Sequence, residues 1–286
     1  LLFAVRRRHI VAFSRAREGR MTDQPSILVD RRDGFRVVTL NRPERLNAFN
    51  EAMHLALRAA LDEAEADDSC GALLLTGAGR AFCSGQDLAD RMPGSGPPRD
   101  LGASLDTFYN PLVRQLRALP FPVVAAVNGT AAGAGASLAL HCDIVLAARS
   151  VRFVQAFARI GVVPDAGGSW LLPRLVGAAR ARGLALTAEP LAAEMAAEWG
   201  LIWKAVDDGR LIADAAALCA QFAAGPRLGL SLIKRALDAA EQNSLDAQLD
   251  LERDLQREAG FHPDYAEGVR AFIDKRAPNF AGRRGG

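Results

Sequence analysis

Apolar runs of strand length alternate with helix-periodic stretches up to about residue 160, and helical periodicity dominates afterwards. Ser26–Val29 and Phe35–Leu40 are β-type runs joined by Arg31-Arg32-Asp33-Gly34. Asp-Gly between such runs predicts a hairpin. Asn50 is placed to cap a helix over Glu51–Ala66, with Met53, Leu57 and Leu61 on one face. Ala72–Thr76, Val123–Val127 and Ile144–Ala147 read as buried strands. Arg80–Pro98 reads as a Gly/Pro-rich loop whose Pro93–Pro98 tip is mobile. Leu101–Leu119 reads as one helix that ends at Pro120 and Pro122. A Gly/Ala stretch, Gly129–Gly135, leads into an apolar helix ending near His141. From Gly168 on, helices are broken near Pro190, Gly200, Gly209, Gly225, Gly260 and Pro263. This alternation predicts a layered α/β core, with the late helices as a lid or a subunit contact.

Composition narrows the class. The chain is 286 residues long, half apolar and 24% charged, which excludes disorder and allows a large core without disulfides or metals. No apolar run approaches the roughly 18 residues of a membrane-spanning helix, so no membrane partner is expected. Cys70, Cys83, Cys142 and Cys219 are widely spaced, giving neither a disulfide framework nor a zinc site and fitting a reducing, cytoplasmic setting. The net charge of +2 hides an asymmetry: residues 1–20 carry +5 and the rest −3. Nothing in the remainder reads as a nucleic-acid groove. The basic N-terminal stretch has three readings: a transit peptide, a contact for acidic partners, or sequence upstream of a start at Met21-Thr22-Asp23. Residues 1–20 are therefore set apart as a non-core extension, with residues 21–220 as one core and 221–286 as a C-terminal helical region.

Two stretches share a design. Gly79-Arg80-Ala81-Phe82-Cys83-Ser84-Gly85-Gln86-Asp87-Leu88 follows the strand ending at Thr76. Asn128-Gly129-Thr130-Ala131-Ala132-Gly133-Ala134-Gly135 follows the strand ending at Val127. Small-residue turns at the carboxyl ends of strands let a ligand approach the backbone. Two of them side by side would aim two N–H groups at one oxygen, or would serve only close helix–strand packing. Gly133-Ala134-Gly135 lacks the third glycine of a dinucleotide fingerprint. Ser137 lies ten residues beyond Val127, too far for the serine of a nucleophile elbow, and His141 suits packing or capping. In Gly161-Val162-Val163-Pro164-Asp165-Ala166-Gly167-Gly168-Ser169-Trp170, Asp165 is either a helix cap or an acid/base group in an apolar pocket. Asp87 and Asp143 read as structural turn residues.

Together these stretches resemble the crotonase (enoyl-CoA hydratase/isomerase) superfamily. The resemblance rests on Asn41-Arg42-Pro43 with Asn47-Ala48, Ala81 through Leu88, Pro122 through Ala139 with Cys142-Asp143, Gly161 through Trp170, and Glu267-Gly268-Val269-Arg270-Ala271-Phe272 to Lys275-Arg276, all in order from about Ile27 to Phe280. It implies a spiral of ββα units with a C-terminal helical region, a homo-oligomer (trimer or dimer of trimers), and an acyl-CoA substrate with no further cofactor and no metal. It places the oxyanion-hole N–H groups at Gln86 and Ala134. It also makes Phe82, Cys83, Ser84, Gly85, Asp87, Gly133 and Trp170 substrate contacts, and Lys275 a phosphate contact.

The departures from the pattern are informative. The two glutamates that hydratases of the family use fall on Ser137 and Phe157, so simple hydration is not expected. Asp165 remains as the one acid, which suits moving a proton or rearranging a substrate. The Gly-Gln-Asp-Leu turn and the Pro-Asp-Ala-Gly-Gly-Ser-Trp run are most similar to the branch that isomerises ring-1,2-epoxyphenylacetyl-CoA in phenylacetate breakdown. Alternatives are an enoyl-CoA hydratase or another enoyl-CoA isomerase, a 4-chlorobenzoyl-CoA dehalogenase-like enzyme, and a non-enzymatic acyl-CoA- or RNA-binding member. The dehalogenase reading lacks a histidine base in Arg80–Met92.

Overall fold

The computed structural model describes residues 24–91 and 100–280. The N-terminal extension and the Pro93–Pro98 tip lie outside the described residues. β1 (Ile27–Arg32) and β2 (Phe35–Leu40) pair antiparallel, with Arg32 opposite Phe35 across the Asp33-Gly34 turn. α1 (Glu51–Ala66) begins at Asn50, whose side chain accepts the Met53 N–H at 3.0 Å, and buries Met53, Leu57 and Leu61.

From there the chain repeats one motif. A largely buried strand joins a large sheet, and a three-residue strand then joins a small one. β3 (Ala72–Gly77) is followed by β4 (Ala81–Cys83), β5 (Val123–Val127) by β6 (Thr130–Ala132), and β7 (Ile144–Ala148) by β8 (Arg152–Val154). With β9 (Leu191–Ala192) and β10 (Lys204–Val206), the large sheet runs β1-β2-β3-β5-β7-β10 and the small one β4-β6-β8-β9. This is the expected spiral of ββα units.

Helices close each turn of the spiral. α2 (Leu101–Ser104) passes through one π-helical turn, Leu105–Tyr109, into α3 (Asn110–Ala118), where a single regular helix was expected. α4 (Ala134–Leu140) follows β6, and every residue in it is buried. α5 (Gly168–Thr187) bends at Gly177, whose backbone (φ 77°, ψ 162°) leaves the helical region. α6 (Ala193–Glu198) precedes β10, and α7 (Leu211–Ala223) covers the sheet with Leu211, Ala215, Cys219 and Ala223, spaced by one helical turn. The main core cluster ends with Cys219. α8 (Arg227–Ala240), α9 (Leu245–Phe261) and α10 (Pro263–Ile273) add one, one and two buried residues. They expose Leu237, Phe261 and Phe272, the last at 86%.

A partly exposed ion pair ties this helical region to the sheet. Lys234 of α8 meets the Asp143 carboxylate at 2.9 Å, and the same oxygen accepts the Val123 N–H at 2.7 Å. Burial pushes the Asp143 carboxyl up, against the lowering effect of Lys234. All four cysteines are free and buried. Burial pushes the Cys83 and Cys219 thiols up to about 12. Among the described residues no single helix is long and apolar enough to cross a membrane.

Candidate active site

The site's two turns leave the small sheet, not the large one from which the sequence reading derived them. β4 and β6 are parallel neighbours, with Cys83 opposite Ala131. Gln86 lies three residues beyond β4 and Ala134 two residues beyond β6, so both leave the same sheet edge side by side. A Cβ on Gly85 would stand 3.0 Å from the Ala132 carbonyl oxygen and 3.4 Å from the Ala134 nitrogen. Gly85 has φ +93° and Gly133 φ +52°, backbone that favours glycine. Ala134 is the first residue of α4, so its N–H precedes the helix's first internal bond, from Ser137 N–H to Gly133 C=O at 3.1 Å.

The Gln86 turn is held firmly. An isolated bridge pairs Phe49 with Gln86: Phe49 N–H donates to Gly85 C=O at 2.7 Å, and Asp87 N–H to Phe49 C=O at 2.9 Å. The Gln86 side chain donates to Phe49 C=O at 3.0 Å, and its Oε1 accepts the Tyr109 hydroxyl at 3.0 Å. Asp87 is buried and gives its carboxylate to Arg42 at 2.9 Å and to the Ala89 N–H at 3.1 Å. It therefore shapes the turn and does not present its carboxylate to a substrate. Asn47 completes the clamp by accepting the Arg42 N–H and donating to the Ala78 and Ala81 carbonyls.

The other substrate-contact candidates sort by exposure. Phe82 and Cys83 are fully buried, so only their backbone could face a ligand. Ser84 is half-buried, and its N–H donates to Leu46 C=O at 3.0 Å. Lys275 stands exposed past the end of α10 with φ +53°, and within one chain it joins neither turn. The Trp170 indole lies under the Arg174 guanidinium at 4.1 Å and near Arg117 at 5.2 Å, a contact its sequence position did not foretell.

The two hydratase-glutamate positions are both filled without an acid. Ser137 is wholly buried under α5, where a Cβ on Gly168 would stand 2.6 Å from its Oγ. Phe157 follows β8, the next parallel neighbour of β6, and its ring comes within 3.8 Å of a Cβ built on Gly133. An aromatic wall therefore stands beside the Gly133–Ala134 turn.

Asp165 is half-buried two residues before the N-cap of α5. The cap position falls on Gly167 (φ +76°), which has no side chain to cap with, while the Asp165 carbonyl accepts the Gly168 N–H at 2.8 Å. Its backbone thus starts the helix, and the cap position itself is Gly167. The segment packs on α4, the helix that begins at Ala134. His141 ends α4, and its imidazole Nε2 lies 2.9 Å from Ala166 C=O. Sequence reasoning missed Tyr109, which is 23 residues from Gln86 and in no motif, and the contact between His141 and Ala166.

The chain belongs to the enoyl-CoA hydratase/isomerase family, which it matches across residues 30–283. It is 58% identical over 251 residues to the 1,2-epoxyphenylacetyl-CoA isomerase of Escherichia coli K12, covering 87% of this chain and 96% of that one. It is 35% identical over 257 residues to the 2,3-dehydroadipyl-CoA hydratase of the same organism, covering 90% and 99%. A crystal structure of enoyl-CoA hydratase from Bacillus anthracis superposes with a TM-score of 0.85 at 30% identity, covering 90% and 100%. The likeness therefore includes both isomerases and hydratases.

Proposed function

We propose that this chain isomerises an acyl-CoA thioester, with 2-(1,2-epoxy-1,2-dihydrophenyl)acetyl-CoA as its substrate. The observation that carries the reading is a contrast within one site. Two small-residue turns bring Gly85-Gln86 against Ala134, and both hydratase-acid positions hold Ser137 and Phe157, while Asp165 stands on a loop packed over the same helix. The likeness to the E. coli isomerase supports the choice of substrate.

The thioester carbonyl oxygen accepts the Gln86 and Ala134 N–H groups. Charge developing on that oxygen is stabilised by about 3–4 kcal/mol per donor. In a double-bond shift, the Asp165 carboxylate takes a proton from the carbon next to the carbonyl. The electron pair moves onto the held oxygen, and the resulting acid returns the proton to the γ-carbon. In the epoxide substrate the same pair holds the thioester and Asp165 steers the opening, while the ring C–C bond shared with the epoxide breaks to give a seven-membered ring. Substrate and product have one composition, so no water and no redox partner enters.

CoA comes with the substrate, and no other cofactor is called for. The chain works as a homo-oligomer, a trimer or a dimer of trimers, which would cover Leu237, Phe261 and Phe272 on the C-terminal helices. Four buried free thiols fit a reducing cytoplasm.

The test is Asp165→Asn, assayed with the epoxide thioester and with a β,γ-enoyl-CoA. Turnover should fall by about 10²–10⁴, with thioester affinity and melting temperature nearly unchanged. An active variant with lowered stability would remove Asp165 from the chemistry.

A further inference from the structure

We propose that His141 is the positioning residue for Asp165: its imidazole, donating to the Ala166 carbonyl, fixes the loop that carries the acid relative to the helix that carries Ala134. This inference rests on the reading of Asp165 as the acid. It concerns a histidine that the sequence alone assigns to packing.

The geometry is specific. A carbonyl only accepts, so Nε2 must carry the hydrogen across the 2.9 Å contact. Nδ1 then holds the lone pair, and it is buried with no hydrogen-bond partner among the described residues. Burial holds the ring neutral, pushing its pKa down to about 4, so the donor tautomer persists at working pH. The loop it grips is not in a relaxed conformation. Ala166 has φ +47° and Gly167 φ +76°, two left-handed residues in succession. A left-handed alanine is strained and persists only where its surroundings hold it.

Gly167 leaves room for the ring, since a Cβ there would stand 2.3 Å from Nε2. Four residues back along α4, Gly168 leaves room for Ser137 in the same way, since a Cβ there would stand 2.6 Å from Oγ. The imidazole therefore fixes the Ala166–Gly167 peptide plane, one residue past Asp165, from the opposite end of the helix whose first N–H faces the thioester. Without that bond Ala166 is free to relax to a right-handed backbone, which would swing the neighbouring carboxylate.

The experiment compares His141→Phe, which fills the space without a donor, with His141→Gln, whose amide can still donate. Both are run beside Asp165→Asn in the full chain with a β,γ-enoyl-CoA, well below each variant's melting temperature. His141→Phe should lower kcat about 10²-fold, the cost of an ångström of misplacement, with KM within about threefold. His141→Gln should recover most of the loss. If His141→Phe gives no folded protein, His141→Met replaces it.

Unchanged kcat in the Phe variant beside an inactive Asp165→Asn would overturn the proposal and leave the role of Asp165 standing. So would equal losses in Phe and Gln, or losses that follow stability alone. An active Asp165→Asn would remove the positioning role together with the acid.

Discussion

Gly85→Ala is the sharpest test of the paired turns, because its two effects can be separated. The added methyl would stand 3.0 Å from the Ala132 carbonyl oxygen and 3.4 Å from the Ala134 nitrogen, one of the two donors meant to hold one oxygen. The first contact is tight enough that one turn must yield by a few tenths of an ångström. Backbone at φ +93° adds about 1–2 kcal/mol of strain for any residue with a Cβ. Strain and contact together should cost about 2 kcal/mol, or about 4–8 °C in melting temperature for a chain of this size. Losing one oxyanion donor outright costs about 10²–10³ in kcat, so a partial displacement should cost about 10²-fold. Gly161→Ala is the control: φ is +73°, yet nothing lies within 4 Å of its Cβ position. It should lose similar stability and keep its rate. Initial rates of β,γ-enoyl-CoA conversion, read by chromatography beside thermal melts, distinguish the two variants. Equal kcat values in both would refute the claim that the Gly85 junction sets the hole.

Two further outcomes follow from buried groups. Crotonyl-CoA hydration should be at most weak, and Ser137→Glu should not install it. The carboxylate would have to displace the first turn of α5 at Gly168, so a melting temperature lowered by more than about 5 °C is expected, and an active, stable hydratase would contradict the packing. His141 is neutral in the fold down to about pH 4 because burial, and to a lesser degree Arg117, disfavour its charge; unfolded, it binds a proton near 6.5. The unfolded state thus takes up more protons as pH falls from 6.5 to 4, so stability declines through that window by up to about 3 kcal/mol. His141→Gln should flatten that slope in melts run across the window, and an unchanged slope would deny the histidine its part.

Legibility in the sequence varied with how locally each feature is determined. Helix α1 was readable because its cap, Asn50, and its buried face at Met53, Leu57 and Leu61 lie within one stretch. Five of the six large-sheet strands were readable as short apolar runs, but β10, three residues inside a stretch that reads as helical, was not. β4 and β6 were not. Each is three residues of small or buried side chains with no alternation, and each exists only through pairing with its neighbours in the small sheet. The two turns were found by their composition, but the sheet that aligns them was assigned to the wrong layer. Asp165 stood out as an acid amid apolar and glycine residues, whereas the placing of the α5 cap position on Gly167 depended on that residue's left-handed backbone. The Tyr109 hydroxyl reaches Gln86 through a π-helical turn that no periodicity announced, because one extra residue in a turn leaves no mark on composition.

The four buried thiols have a consequence for watching this molecule move. Cys70 lies beside β3, Cys83 ends β4, Cys142 follows α4 and Cys219 sits in α7, so they sample both sheets and the helix that covers one of them. A thiol reagent must wait for the protein to open, and the Cys83 and Cys219 thiols lose their proton only outside the fold, where their acidity returns to normal. Labelling followed cysteine by cysteine would therefore act as a set of clocks in the wild-type chain. Cys83, one residue from the Gln86 turn's entrance at Ser84, would time breathing of the small sheet, while Cys219 would time release of α7 from the large one.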